Sequence, residues 1–317
     1  MISVALCTYN GEHYIHEQLE SVLNQTMPVD EIVVCDDGSS DNTLQIIESL
    51  NKNTQTDIRI YRNEKNLGPA LNFQKAINLC LGDIVFLSDQ DDIWYNNKVQ
   101  VMVDWFKDNP AQCVAFSDAD LIDDANNLIT EKSLWECVGF SDKAIKAFLA
   151  GLGVELFCYE NRATGATMAV RRDYATASHF TSICNNIILH DGAIAMLAAE
   201  ENEIGFIPEK LMRYRCHHGQ SVGIGATLYH SLSDDPRETS PLCEQWYSLP
   251  LSSDLKKHIT FIRTRHRTKH QPLGPFRMLR SIRSYSKYYH RLWPSFLMFD
   301  LTQWFTSMWH RIFRHNS

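Results

Sequence analysis

Polar side chains that could bind a cation or transfer a proton follow three short apolar segments near the start of the chain. These segments, Ile2–Cys7, Glu31–Cys35 and Ile84–Leu87, have the length and composition of buried β-strands. The runs that follow them are Thr8-Tyr9-Asn10-Gly11, Asp36-Asp37-Gly38-Ser39 and Ser88-Asp89-Gln90-Asp91-Asp92. Because ligands bind at the carboxyl ends of the strands in open α/β sheets, the three runs are expected to border one polar crevice.

The densest of these runs places carboxylates at Asp89, Asp91 and Asp92. Negative charges this close together repel one another unless a cation or a substrate group neutralises them, and carboxylate oxygens suit Mg²⁺ or Mn²⁺. A divalent cation can bridge a diphosphate and make it a better leaving group. The run therefore predicts metal-assisted chemistry on a diphosphate, with a solvated acidic loop as the alternative. For Asp36 and Asp37 the alternative is a simple turn, which Asp-Asp-Gly-Ser also favours.

Two further groups of this kind lie in the second half of the chain. His190 and Asp191 open a helical run, and a carboxylate at this position is expected to cap the helix. The other group holds Arg215, His217 and His218. The arginine would neutralise a phosphate or pair with a surface acid, and the histidines would bind a metal ion or form a surface loop.

Strand-like and helical patterns alternate through the first part of the chain. Ile58–Tyr61, Cys113–Phe116 and Thr167–Val170 add further strands, and amphipathic helices fill the gaps. From about Lys143 the pattern becomes less regular. This alternation predicts an α/β fold with a mostly parallel sheet and helices on its faces.

Composition limits the class of protein. A chain of 317 residues, 44% hydrophobic and 21% charged, can bury a full core, which excludes a disordered protein. The nine cysteines form no C-x-x-C pair, so neither a zinc module nor a disulfide framework is predicted. No basic stretch precedes an apolar run at the N-terminus, so no secretory signal is predicted. These features favour a cytosolic protein with reduced thiols.

Charge is distributed unevenly around the net value of −8, because residues 256–317 contain thirteen Lys or Arg and one acid, Asp300. Aromatic and basic residues alternate at helical spacing over Phe276–Trp293, which predicts an amphipathic helix on an anionic membrane surface. Pro294 and Asp300 argue against a spanning helix. The alternatives are helices packed on the rest of the chain or in a homodimer interface. The acidic body argues against nucleic-acid binding.

Four motifs in order resemble the family 2 glycosyltransferases of the GT-A fold: Thr8-Tyr9-Asn10, Asp36-Asp37-Gly38-Ser39-Ser40-Asp41, Asn66-Leu67-Gly68 and Asp89-x-Asp91-Asp92. The segment Phe86–Trp94 is particularly similar to the rhamnosyltransferase-like branch, which acts in surface-polysaccharide assembly. The resemblance extends to about Gly223. It implies a Rossmann-like GT-A domain over residues 1–225, with a nucleotide-sugar half (1–110) and an acceptor half (111–225). A linker or mobile loop (226–255) and a basic helical tail (256–317) are expected to follow.

The resemblance also implies roles for individual residues. Tyr9 stacks on the nucleobase, and Asp191 is the catalytic base. Asp91 is the first candidate for the metal ligand. The family's Tyr-Arg-x-His-Gly loop contributes a histidine that reaches the metal or diphosphate, with His218 slightly favoured over His217. The expected nucleotide-sugar ligands are Thr8, Tyr9, Asn10, Asp36, Asp37, Asn66, Gly68, Asp89 and Arg215, with Asp89 also a candidate metal ligand.

The function implied by this resemblance is metal-dependent transfer of a hexose with inversion. The first expected donor is dTDP-rhamnose, with UDP-galactose or UDP-glucose as alternatives, and the expected acceptor is a glycan, lipid-linked, at the cytoplasmic face of the membrane. A non-catalytic protein that binds a nucleotide sugar is the second hypothesis. A nucleotidyltransferase is disfavoured because the N-terminal loop lacks a Gly-rich, basic phosphate-binding signature.

Overall fold

One eight-stranded sheet organises the part of the chain that the computed structural model describes, namely residues 1–178, 180–184, 188–217, 245–246 and 248–268. The strand order is β3-β2-β1-β4-β7-β6-β8-β5. The strands are β1 (Ile2–Thr8), β2 (Glu31–Asp36), β3 (Asp57–Arg62), β4 (Ile84–Ser88), β5 (Ile93–Trp94), β6 (Val114–Ile122), β7 (Met168–Arg171) and β8 (Ile204–Arg215).

Helices cover the sheet. They are α1 (Ile15–Leu23), α2 (Thr43–Asn51), α3 (Pro69–Leu79), α4 (Lys98–Asp108), α5 (Leu134–Cys137), α6 (Asp142–Leu149), α7 (Gly153–Tyr159), α8 (Arg172–Ala177), α9 (His190–Glu201) and α10 (Ser253–Thr268). Short 3₁₀ turns occupy Gly165–Thr167 and Phe180–Ser182.

The first four strands run parallel, with β1 between β2 and β4 and β3 outside β2. Strands β1 and β2 are buried along almost their whole length, as expected for parallel strands covered on both faces. β7 runs antiparallel to both β4 and β6, while β6 and β8 are parallel. The predicted α/β class, with a mostly parallel sheet flanked by helices, is confirmed.

The strand order reverses at β1, and this reversal positions the site. After β1 the chain adds β2 and β3 on one side, and then places β4 on the opposite side of β1. Crossover connections therefore leave β1 in opposite directions, so that a crevice opens between the carboxyl ends of β1 and β4. Thr8 ends β1 and Ser88 ends β4, and the polar runs predicted to meet there follow both strands.

Strand β8 was not expected from the sequence. Its central residues Pro208, Glu209 and Lys210 are exposed or bear charge, and its pairing with β6 contains two register shifts, so no simple alternation of polar and apolar residues marks it. Tyr214 and Arg215, which the sequence places in a loop, are the last residues of this strand. They therefore reach the site on a sheet element.

Glu31, at the start of β2, is a fully buried carboxylate that joins three parts of the first half. It accepts hydrogen bonds from the Ser3 hydroxyl and the Leu81 N–H, both at 2.5 Å, and pairs with Arg59 on β3. Burial alone would raise its pKa, but these hydrogen bonds together lower the pKa of Glu31 below its usual value of 4.5. The ionised form therefore stabilises the fold.

We expect Glu31→Gln to lower the free energy of unfolding by about 2 kcal/mol at pH 7, because it removes the buried charge that pairs with Arg59. Since the pKa of Glu31 is lowered in the folded state, its contribution is complete above pH 4.5 and is lost as the pH falls through the folded-state pKa. Urea unfolding at pH 7 and pH 4 should therefore show a smaller difference between wild type and variant at pH 4. Glu48→Gln, on an exposed site of α2, is the matched control; an equal loss in both variants would contradict this account.

Helix α10 begins at Ser253, inside the segment expected to be a linker. Leu255 and Ile259 are fully buried, and His258 Nε2 lies 3.1 Å from Glu155 Oε1 on α7. The start of the predicted tail thus packs on the body of the protein, which was one of the alternatives. The predicted amphipathic segment and most of the predicted linker lie outside the described residues. Among the helices in the described ranges, none has the length and apolar character needed to cross a membrane.

Candidate functional site

A cavity of about 870 Å³ opens at the reversal of strand order. Residues from both halves of the chain line it. The lining includes ten residues predicted for the site: Thr8, Tyr9, Asn10, Asp37, Asn66, Gly68, Asp89, Asp91, Asp191 and His217. Asp36 and Arg215 are not part of the lining, and His218 lies outside the described residues. The structure thus brings together most of the predicted site.

Asp37 fixes one end of the cavity. Its Oδ1 accepts hydrogen bonds from the Asn63 side chain and the Leu67 N–H, both at 2.7 Å, and its Oδ2 accepts one from the Gly68 N–H at 2.9 Å. Gly68 has a φ of +77°, a conformation that side chains rarely adopt. One lone pair of Oδ2 remains open for a ligand donor. Asp37 therefore both positions the loop around Gly68 and presents an acceptor at this end of the cavity.

Asp36 has a different role from the one expected. Its carboxylate is fully buried and accepts hydrogen bonds from the hydroxyls of Thr8 and Ser39 and from the N–H groups of Gly38 and Ser39. Most of these contacts form the turn after β2, and Asp36 itself does not line the cavity. We therefore reassign Asp36 from base contact to turn formation, the alternative that the Asp-Asp-Gly-Ser sequence left open.

Gln90, inside the acidic run, clamps the loop that follows β1. Its Oε1 accepts from the Tyr9 N–H at 2.8 Å and its Nε2 donates to the Tyr9 carbonyl at 3.0 Å. A Cβ at Gly11 would lie 2.2 Å from Gln90 Oε1, so only glycine lets the loop approach this closely. The exposed ring of Tyr9 lines the cavity beside this clamp. Sequence reasoning missed the role of Gln90 because its partners are the backbone groups of Tyr9, which no residue type in the sequence reveals.

We expect Gln90→Glu to weaken the binding of a nucleoside diphosphate about tenfold, because a carboxylate cannot donate to the Tyr9 carbonyl and repels it. Gln74→Glu is the matched control. Gln74 lies on α3, donates a hydrogen bond to the Thr181 hydroxyl and does not line the cavity. Isothermal titration with UDP and dTDP measures both variants. Unchanged affinity in Gln90→Glu would show that the clamp does not position the loop.

The acidic run is crowded and largely buried. Asp92 is 1% exposed; its Oδ1 accepts from the Arg215 N–H at 2.9 Å, and its Oδ2 has no hydrogen-bond partner among the described residues. Burial, with the charges of Asp91 and Asp89, raises the pKa of Asp92 well above its ordinary value. Burial, with the charges of Asp91 and Asp191, raises the pKa of Asp89 to about 7. The carboxylates therefore repel one another across the cavity.

His217 Nε2 lies 2.9 Å from Asp91 Oδ2, although 126 positions separate the two residues in the chain. No group of three or more His, Cys, Asp or Glu residues with metal-binding geometry occurs in the described ranges. Mg²⁺ is often held by one or two protein ligands together with substrate phosphates. The orphaned Asp92 oxygen and the crowded carboxylates fit a site that gains a cation along with its substrate. Of the two histidine alternatives, His217 is the one seen beside Asp91.

Lys98 is a buried cation behind the acidic run that sequence reasoning missed. Its Nζ donates to the Ala166 carbonyl at 2.7 Å and lies 4.1 Å from the centre of the Trp94 ring. Burial lowers the pKa of Lys98 to about 7, against the opposing effect of Asp92 and Asp89. A lysine at the first residue of a helix is unfavourable for the helix dipole. This position of Lys98 in α4 was the feature of the sequence that could have pointed to it.

Arg215 is a buried connector. Its side chain is fully buried: Nε donates to the Asp91 carbonyl at 2.7 Å, Nη1 to the Asp123 carbonyl at 3.0 Å and Nη2 to Glu17 at 3.1 Å. We therefore reassign Arg215 from a ligand of the diphosphate to a residue that positions the acidic run. Pairing with an acid was the alternative, and Glu17 is that acid.

Asp191 lines the same cavity from the first turn of α9. Its Oδ2 accepts from the Gly165 N–H at 3.0 Å, and its Oδ1 accepts from the Gly192 N–H at 2.7 Å. A Cβ at Gly165 would lie 3.2 Å from the Asp191 Cβ, so the glycine permits this close approach. The carboxylate is thus held by two backbone donors while it faces the cavity, a geometry suited to a general base.

Comparison with known proteins gives a consistent set of relatives. Glycosyl transferase family 2 matches residues 3–147. The dTDP-rhamnosyl transferase RfbG of Shigella flexneri is 30% identical over 230 residues, which covers 69% of this chain and 73% of that protein. The UDP-Glc:alpha-D-GlcNAc-diphosphoundecaprenol beta-1,3-glucosyltransferase WfgD of Escherichia coli is 35% identical over 104 residues, covering 32% of this chain and 40% of that protein.

Among solved structures, residues 1–349 of S. aureus TarS, determined in complex with UDP-GlcNAc, superimpose with a TM-score of 0.55. The sequence identity is 19%, and the match covers 85% of this chain and 72% of that chain. At this identity the likeness shows the fold alone, and it confirms the GT-A fold expected from the sequence.

Proposed function

The chain belongs to glycosyltransferase family 2, and on that premise we propose that it transfers a sugar from a nucleotide diphosphate sugar to an acceptor hydroxyl, with inversion at the anomeric carbon. The observation that carries the proposal is the meeting of Asp37, the acidic run and Asp191 around one cavity. Asp37 offers a hydrogen-bond acceptor to this cavity, and Asp191, from the other half of the chain, offers a carboxylate. A ligand with a base, a diphosphate and a sugar spans such a site in that order.

The nucleoside binds between the Tyr9 loop and the loop around Gly68. The half-exposed Tyr9 ring provides a face for stacking on the base, and the open lone pair of Asp37 accepts a base N–H. Thr8, Asn10 and Asn66 complete this end of the cavity.

The diphosphate binds at the acidic run, together with Mg²⁺ or Mn²⁺. Asp91 and His217 would hold the cation, and Asp89 would face the ribose or the transferred sugar. When bound, the cation neutralises the charge of the departing diphosphate. Arg215 holds the run in place through the Asp91 carbonyl, and Lys98 lies over the ring of Trp94, just after the run.

Asp191 supplies the proton-transfer step. As the acceptor oxygen attacks the anomeric carbon, Asp191 takes the hydroxyl proton, and the bond from that carbon to the diphosphate oxygen breaks with its electron pair leaving on the diphosphate. Asp191 lines the cavity, so an acceptor hydroxyl that enters the cavity can reach this carboxylate. A single displacement of this kind inverts the anomeric configuration.

For the donor we propose dTDP-rhamnose first, because a relative that matches 69% of this chain is named a dTDP-rhamnosyl transferase. UDP-glucose is the alternative, since the relative from Escherichia coli is named for that donor and for a diphosphoundecaprenol-linked acceptor. UDP-galactose belongs to the same alternative. We propose a glycan acceptor, lipid-linked, in surface-polysaccharide synthesis. Attachment to the inner membrane face and a homodimer stay predictions, because they depend on residues outside the described ranges.

A thermal-shift screen of nucleotide sugars with and without Mn²⁺ tests this function. We expect the nucleotide sugars of one nucleoside to raise Tm by several degrees, and only when metal is present. Without the metal, the acidic run repels the diphosphate. The stabilising nucleotide sugar is then offered with glycan acceptors, and the product's anomeric configuration is read by NMR. Retention of configuration would overturn the single-displacement mechanism. Metal-dependent binding without turnover for any acceptor would favour the non-catalytic alternative.

A further inference from the structure

His190, the residue before Asp191, is a buried imidazole in the wall of the cavity. Its side chain is 5% exposed, and its ring stacks on Phe73 of α3 with the ring centres 4.0 Å apart and the planes at 22°. Both residues line the cavity. The stack fixes the plane of the imidazole ring, so the two ring nitrogens can form hydrogen bonds only with groups that lie near this plane.

Neither ring nitrogen of His190 has a hydrogen-bond partner among the described residues. A buried polar group without a partner is unfavourable, and nearly all such groups in native proteins are paired. If the ring served only to pack against Phe73, phenylalanine or leucine would fill this place without that cost. Because the ring lines the cavity, the two nitrogens without partners among the described residues indicate that the partner is a ligand in the cavity.

The surroundings define what that partner must be. Burial lowers the pKa of His190, against the effect of Asp191, so the ring is neutral and offers one donor and one acceptor. A hydroxyl group has the same combination of donor and acceptor, whereas a phosphate offers only acceptors. At Gly165 a Cβ would lie 2.9 Å from His190 Nε2, so the glycine lets the imidazole pack closely against the backbone beside Asp191.

The neighbours of His190 in the cavity indicate which part of the ligand carries the hydroxyl. The His190 ring stacks on Phe73 of α3, which begins directly after Gly68 of the proposed nucleoside site, and its Nε2 lies beside Gly165, whose N–H donates to Asp191. His190 thus lies between the nucleotide and the proposed base. In the reaction proposed above, the group in that interval is the transferred sugar.

We propose that His190 is a specificity-determining residue that hydrogen-bonds a hydroxyl of the transferred sugar. The inference rests on the proposed function. It assigns His190 to recognition of the sugar and leaves proton transfer to Asp191. A site whose buried polar atoms are completed by a substrate hydroxyl discriminates strongly against a donor that lacks it, because those atoms then stay unpaired. The sugar is accordingly selected by the presence of this hydroxyl and not by shape alone.

Calorimetric titration of wild type, His190→Phe and His190→Asn tests the proposal. Each is titrated with dTDP-rhamnose and dTDP, and with UDP-glucose and UDP, in the presence of Mn²⁺. The measured quantity is the ratio of Kd for the nucleotide sugar to Kd for its nucleoside diphosphate. We expect His190→Phe, which keeps the stack on Phe73, to raise this ratio about tenfold while Kd for the diphosphate alone is unchanged. His190→Asn keeps a donor and an acceptor and should retain most of the sugar-dependent affinity.

A purely structural histidine predicts the opposite order. In that case His190→Phe binds the nucleotide sugar as wild type does and His190→Asn loses affinity for all four ligands, a result that would overturn the inference while leaving the function intact. A second measurement uses donors lacking single hydroxyls. One deoxy analogue should bind wild type about tenfold more weakly than the parent, and this difference should vanish in His190→Phe. If wild type binds no nucleotide sugar, the proposed function fails and the inference fails with it.

Discussion

Asp191→Asn is expected to lower kcat about a thousandfold while Kd for the nucleotide sugar stays within about twofold of wild type. Asparagine has nearly the shape of aspartate, and its oxygen can still accept the hydrogen bond from the Gly165 N–H, although its amide nitrogen cannot accept the bond from the Gly192 N–H. It cannot take a proton from an acceptor hydroxyl at neutral pH. The loss should therefore appear in the chemical step and not in donor binding. Initial rates of transfer together with calorimetric Kd values measure the two quantities separately.

Asp142→Asn is the matched control for this variant, because Asp142 is also an aspartate in the first turn of a helix but is exposed on α6 and does not line the cavity. Its kcat should equal that of wild type. The melting temperature of both variants shows whether either change disturbs folding. A folded Asp191→Asn enzyme with more than about a tenth of wild-type kcat would remove Asp191 from the role of general base.

Asp91→Asn is expected to abolish the gain in nucleoside diphosphate affinity that Mn²⁺ gives to wild type, and to lower kcat/KM about a hundredfold. Without metal the variant should bind the diphosphate no more weakly than wild type, because one negative charge facing the phosphates has been removed. A variant that loses affinity for the diphosphate only when Mn²⁺ is present has lost a metal ligand, whereas general damage would lower the affinity under both conditions. Calorimetry with UDP and dTDP, each with Mn²⁺ or with a chelator, measures it.

The same comparison separates the two histidines. His217→Gln should share the loss of the Mn²⁺ effect, since His217 lies beside Asp91, and His218→Gln serves as its matched control. Asp108→Asn, an exposed carboxylate at the end of α4, is the control for the aspartate. An Mn²⁺ effect that survives in Asp91→Asn would exclude Asp91 as a ligand, and an effect lost only in His218→Gln would transfer the role to that residue.

Much of the first half of the fold was predictable because its signals are local. Strands such as Ile2–Thr8 and Glu31–Asp36 are buried on both faces, so their sequences are short continuous apolar runs that can be recognised without knowing their partners. The second half was less predictable. Strand β8 has an exposed charged centre and pairs with β6 through register shifts, and the helices α5 to α8 are short, so neither shows a clear period.

The site shows the same division. Asp37, Asp91 and Asp191 were found from the sequence, because a carboxylate after a strand or at a helix start is visible in the chain itself. The contacts of Arg215 were not, since its partners Glu17 and the Asp91 carbonyl lie far from it in sequence.

The sequence by itself therefore determined the family, the α/β class and the acidic groups available for chemistry, since these depend on residue types and on spacing within single elements. The tertiary structure decided which groups face the ligand. It turned Asp36 and Arg215 towards the protein, brought His217 to Asp91 and left His190 lining the cavity with no hydrogen-bond partner in the part of the chain that the structure describes. These outcomes depend on which residues β8 and α9 bring next to β1 and β4. Such long-range packing leaves no mark within any one segment of the chain.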